Sequence, residues 1–149
     1  MRAAQIKNYG DVNAIEINQG AEKPSLQSQQ VLVEVYAVSL NRIDSVIRNG
    51  YAQEMMSLSF PSTVGGDFSG VISDLGGGVT EFGVGDEVYG NAGAFGSGSI
   101  SESVTSDSAK MSLKPKTLDF TQSASLHWSE LVQCRALKRK SKSKKDKRY

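Results

Sequence analysis

Residues 60–90 read FPSTVGGDFSGVISDLGGGVTEFGVGDEVYG, and the punctuation of this stretch decides the fold. Phe68 to Leu75 has the β-branched and apolar character of a strand and is closed by Gly76-Gly77-Gly78. After the turn at Gly83-Val84-Gly85-Asp86, Glu87 to Tyr89 reads as another strand. Short strands joined by glycine turns at this spacing point to a small, mainly β, barrel-like domain.

Working toward the N-terminus, Val31 to Val38 (VLVEVYAV) is the clearest strand in the chain, with Val31, Val33 and Val35 on one face. From Asn41 the period changes. Ile43, Val46 and Ile47 fall at helical spacing, Asp44 lies in the first turn and Asn49-Gly50 supplies a stop, so a short helix is expected near 43–48. Residues 1–7 and 12–17 (VNAIEI) read as two strands of an opening hairpin around Gly10-Asp11. Toward the C-terminus, residues 91–110 are rich in Gly and Ser and hold at most one strand, near Ile100 to Val104. Thr117 or Asp119 caps a second short helix, expected over 119–126.

A length of 149 residues fits one domain. With 38% hydrophobic and 22% charged residues the composition is that of a globular protein, and no apolar run nears the roughly 20 residues of a membrane span. The N-terminus lacks the apolar segment of a signal peptide, so a cytoplasmic location is expected. The single cysteine, Cys134, excludes an internal disulfide and any multi-cysteine zinc site. Charge divides sharply. Residues 1–126 hold 8 Lys+Arg against 14 Asp+Glu, a net −6, whereas 127–149 hold 9 against 2, a net +7. Such unlike compositions call for separate explanations.

Three segments together, VLVEVYAVSLNRIDSVIRNG (31–50), the 60–90 stretch and LKPKTLDFTQSASL (113–126), resemble the N-terminal, GroES-like domain of the zinc-independent quinone oxidoreductases in the medium-chain dehydrogenase/reductase superfamily. The resemblance implies a GroES-like, partly open β-barrel over residues 1–126, without the Rossmann domain that would bind the nucleotide. It also implies an NADPH-dependent enzyme acting on a small-molecule quinone or enone, and it is compatible with a homodimer. Where zinc-dependent relatives place a cysteine, a histidine and a nearby glutamate, this chain has Asn41, Gly66 and Asp67. An amide and a glycine cannot replace thiolate and imidazole, so no metal site is expected.

By the same carry-over, Asn41 would lie beside the nicotinamide and donate its amide to a substrate oxygen or cofactor carboxamide, a catalytic and cofactor-binding role. The alternative for an Asn at a strand end is a bond to its own loop backbone. Asp44 would hold that loop and contact substrate, or simply favour a helix N-terminus. Tyr51 would wall the substrate cleft. Arg48 reads as a surface or ion-pair residue. No dinucleotide fingerprint and no phosphate loop occur.

Residues 127–149, HWSELVQCRALKRKSKSKKDKRY, replace the continuation such a family would have, and their basic half lacks apolar periodicity. Reading the implied codons one base earlier permits LVGVSAVQSLEKKIKVKKGQKI, which resembles that continuation, so a displaced reading frame and a truncated chain, inactive alone, are expected. A second class of function remains open: a free-standing barrel whose basic tail attracts nucleic acid or another acidic partner. With Trp128 and Tyr149 the only aromatics in the tail, nucleic acid is the weaker expectation.

Overall fold

The computed structural model describes residues 1–93 and 98–126. The expectations about residues 127–149, including His127 and Cys134, lie outside them.

The valine-rich run is the centre of the molecule. It forms β3 (Gln30–Ser39), flanked by β5 (Asp67–Leu75) on one side and β7 (Ser103–Asp107) on the other. β6 (Glu87–Asn91) and β8 (Met111–Leu113) complete an antiparallel five-stranded sheet of order β7-β3-β5-β6-β8. Val31 and Val33 are fully buried with Phe68, Ile72, Val88 and Val104, each burial worth about 1.5–3 kcal/mol of transfer free energy. Leu32 is buried too, so both faces of the first half of β3 are covered. β3 and β5 approach closely at Gly70, where a Cβ would come within 2.0 Å of the Glu34 carbonyl oxygen.

A second sheet, β2-β1-β4, is built from β1 (Ala3–Ile6), β2 (Ile15–Asn18) and β4 (Ser62–Thr63). The 98–102 segment joins the sheets: the Ala4 N–H donates to Ile100 O at 2.9 Å and the Val35 N–H to Glu102 O at 3.0 Å. The result is a mainly β arrangement of two open sheets, and the described residues contain no nucleotide-binding Rossmann sheet.

Two short helices decorate it. α1 (Arg42–Arg48) follows β3, and α2 (Phe120–Ala124) packs on β3 and β5. Asp119, not Thr117, caps α2: its Oδ1 accepts from the Gln122 N–H at 2.7 Å while Gln122 Oε1 accepts from the Asp119 N–H at 3.1 Å.

Several local expectations need correction. Val12–Ala14 is a 3-10 turn, since Asp11 accepts from the Asn13 N–H at 2.9 Å and closes it; the hairpin's second strand starts only at Ile15. The strand expected near Ile100 to Val104 runs instead from Ser103 to Asp107, because its register is set by pairing Glu34 with Ser103 and Gln30 with Asp107. β4 and β8 are too short to leave a sequence pattern and exist through their partners.

Candidate active site

Sheet register assembles the site. Asp67 opens β5 opposite Ser39, two residues before Asn41, and opposite Asn91, the last residue of β6. Three polar residues far apart in sequence therefore converge at one end of the five-stranded sheet. The carboxylate of Asp67, only 1% exposed, accepts from Asn41 Nδ2 at 2.9 Å through Oδ2 and from Asn91 Nδ2 at 2.6 Å through Oδ1. Asn91 is spent locally, because its Oδ1 also accepts from the Gly93 N–H at 2.7 Å. The Asn41 amide keeps a second N–H beyond the one aimed at Asp67.

Asn41 sits in extended conformation at the start of α1, and Asp44 Oδ2 accepts from its backbone N–H at 2.6 Å. Burial pushes the Asp44 carboxyl above its usual 3.8; the Asn41 N–H pulls it back, and the charge of nearby Asp67 adds to the rise.

Beside this network lies a cavity of about 380 Å³, within the range of small-molecule sites. It runs along α1. Ile43 and Ile47 supply its helical wall, and Ile6 of β1, Met56 and Leu58 line it as well. Asn41, Asp44 and Asn91 line it at the polar end, and Arg48 at the other.

The structure thus brings Asn41 and Asp44 together on the cavity. Tyr51 is not among the described lining residues: it follows Gly50 in the turn after α1 and is 82% exposed, facing solvent. Arg48, expected at the surface, lines the cavity and donates through Nε to Gly10 O at 3.3 Å.

Sequence reasoning missed Asn91. The sequence pattern carries the strand only to Tyr89, and the pairing of β5 with β6 is what sets Asn91 opposite Asp67. Gly66 has a specific task here. A Cβ at this position would lie 2.9 Å from Asn91 Nδ2, so the glycine leaves the space that the Asn91 amide fills. Among the described residues no group of three His, Cys, Asp or Glu side chains converges, and no helix is long and apolar enough to cross a membrane.

The quinone oxidoreductase of Rattus norvegicus is 34% identical over 137 residues, covering 92% of this chain and 40% of that protein. The chloroplastic NADPH-dependent alkenal/one oxidoreductase of Arabidopsis thaliana is 33% identical, over 85% of this chain and 34% of that one. The solved structure of the quinone oxidoreductase from Coxiella burnetii superposes with a TM-score of 0.80 at 33% identity, covering 93% of this chain and 44% of that chain. The chain therefore spans less than half the length of these relatives. The family model of the alcohol dehydrogenase GroES-like domain matches residues 27–116, the stretch from the approach to β3 through β8 that builds the five-stranded sheet and carries Asn41, Asp67 and Asn91. The chain belongs to the alcohol dehydrogenase GroES-like domain family.

Proposed function

We propose that this chain is the acceptor-side half of an NADPH-dependent quinone or enone oxidoreductase that works without zinc, and that its 149 residues alone do not support turnover. One observation carries the reading: the Asn41 carboxamide is held by Asp67 at the polar end of a largely apolar cavity. A planar, weakly polar ring bearing a carbonyl suits such a space. The apolar wall excludes water, and the free N–H of Asn41 donates to the carbonyl oxygen where negative charge develops. The oxidoreductase relatives, one of them named for NADPH and alkenals, agree with that chemistry.

The residues at the polar end do not suit a zinc ion. Gly66 offers no donor, and Asn41 turns its N–H toward Asp67. For the nicotinamide end of NADPH they do fit, since Asn41 can meet a carboxamide or a carbonyl. The cofactor, when bound, supplies the hydride. Among the described residues no glycine-rich strand-to-helix turn is present to hold its pyrophosphate. Hydride transfer depends on holding donor and acceptor together, which is worth several kcal/mol of barrier, about 7–11 in the best-aligned cases.

In this reading residues 1–126 are the domain, located in the cytoplasm, and 127–149 are the product of a displaced frame. The nucleic-acid alternative finds no support among the relatives.

Two chains test the proposal: this one, and a longer one in which the alternative frame is restored from the codon for His127 onward. NADPH binding by fluorescence and oxidation with a simple quinone are expected only for the longer chain. Turnover by the short chain would defeat the claim that it is half a site, and absence of binding by the longer one would remove the displaced frame.

A further inference from the structure

The segment between α1 and β4 supplies Met56 and Leu58 to the cavity, yet residues 57–60 have no regular secondary structure. What holds this wall comes from a turn 49 residues earlier in the chain. The Tyr9 hydroxyl oxygen accepts from the Leu58 backbone N–H at 2.9 Å. The ring of Tyr9 also meets Phe60 edge-to-face, with centroids 5.0 Å apart and planes at 82°. Beneath it lies Gly50, at φ +80°, where a Cβ would stand 3.0 Å from the ring carbon Cγ. A side chain there would crowd the ring and would strain the backbone at this positive φ.

The turn bearing Tyr9 is itself fixed to α1. The Gly10 N–H donates to Arg48 O at 3.0 Å, and Arg48 Nε donates back to Gly10 O. A closed mechanical path results. Asn41 begins α1, whose seven residues reach about 10 Å to Arg48. Arg48 carries the Gly10 turn, and Tyr9 reaches from that turn to Leu58. The placement of the Met56–Leu58 wall relative to α1 is therefore set through a residue that is not among the described lining of the cavity.

We propose that Tyr9 is a specificity-determining positioning residue: its hydroxyl, by holding the Leu58 N–H, fixes the width of the acceptor cavity and favours single-ring over fused-ring carbonyl compounds. The inference rests on the cavity being the acceptor site. Removing the hydroxyl leaves the Leu58 N–H to water and lets the Met56–Leu58 wall relax outward, so the larger ring system gains.

The experiment uses the 149-residue chain and methyl NMR titrations followed at Ile43, Ile47, Met56 and Leu58. The probes are cyclohexanone and 1-tetralone, one-ring and two-ring ketones that present the carbonyl without alkylating Cys134. Wild type is expected to prefer cyclohexanone relative to the Tyr9→Phe variant. In that variant the ratio of the two dissociation constants should move toward 1-tetralone by about three- to tenfold, the loss of one hydrogen bond, with faster exchange of the Leu58 amide proton. Phe60→Leu, which removes the ring contact and keeps the hydroxyl, should leave the ratio unchanged. An unaltered ratio in Tyr9→Phe, or an equal shift in Phe60→Leu, would overturn the role of the hydroxyl alone. Absence of any methyl response in wild type would overturn it together with the reading of the cavity.

Discussion

Asn41 and Asp67 meet at the end of the five-stranded sheet, the Asn41 amide nitrogen 2.9 Å from Asp67 Oδ2. A carboxylate accepts and never donates when ionised, so it dictates which end of each neighbouring amide turns toward it. Asp67 thereby orients both Asn41 and Asn91. The same oxygen pair that satisfies two half-buried amides also sets which hydrogen of Asn41 is left for a ligand.

Replacing Asp67 by Asn puts a donor where only acceptors fit. One of the two amides then loses its partner in a nearly water-free place, at a cost of about 1–3 kcal/mol. Urea unfolding should show this loss, and the side-chain amide resonances of Asn41 and Asn91 should both shift. An unchanged midpoint would mean the network is not held as the geometry has it.

Asp44 makes the stability of this end depend on pH. Its carboxyl titrates above its usual value because burial and the Asp67 charge oppose ionisation, so the folded chain holds its proton more tightly than the unfolded one. The contribution is full below the unfolded pKa and is lost as pH rises through the folded one. Glu102 and Asp107 are lowered by Arg2 and Lys110 and act in the opposite sense, so the raw pH curve mixes both. The Asp44→Asn variant isolates one group, since its amide oxygen still accepts from the Asn41 N–H. Relative to wild type its unfolding midpoint should improve between about pH 3 and pH 7.

Gly70 and Gly77 test the packing of the sheet against the chemistry of a turn. Alanine at 70 drives a methyl into the Glu34 carbonyl oxygen, a rigid backbone atom, whereas at 77 a Cβ meets nothing within 4 Å. Gly70→Ala should lose at least about 3 kcal/mol or fail to fold, as overpacking against backbone does. Gly77→Ala should be neutral within about 0.5 kcal/mol. Thermal unfolding of the pair separates the two cases.

Much of this architecture was legible because its signals are local. The run from Val31 to Val38, the glycine turns after Leu75 and Phe82, and Asn49-Gly50 each act over a few residues, and the β3, β5 and α1 they mark are present. Asn41 and Asp44 could be named as site residues from the family's pattern. Asn91 could not, because its importance comes from standing opposite Asp67 across a ladder. Tyr51 illustrates the converse: a conspicuous aromatic at the end of a helix whose direction depends on the turn at Gly50, which sends it into solvent. Arg48 faces the cavity for a reason equally invisible in sequence, its bond to a turn 38 residues away.

Lys114 offers the sharpest separation of a buried charge from an exposed one. Its side chain is 8% exposed, while that of its ion-pair partner Glu87, at 3.0 Å, is 53% exposed. Nζ also donates to Leu118 O at 2.7 Å and stands 5.3 Å above the ring centroid of Phe120, which stacks on Tyr36 at 4.7 Å. One ammonium thus ties β6 to the segment that leads from β8 into α2. Lys114→Met keeps the apolar stem and removes the ion pair, the ring contact and the bonds to the Leu118 and Pro115 carbonyls, leaving the Leu118 carbonyl without its donor; the expected loss is about 1–3 kcal/mol. Glu87→Gln removes only the half-exposed partner, which water replaces, at about 0–1 kcal/mol. Because Lys114 keeps its carbonyl and ring when Glu87 changes, the two losses should differ in size. The double variant should cost little more than Lys114→Met alone. Equal single losses in urea unfolding would show that the ion pair, and not the buried carbonyl, is what Lys114 is there to hold.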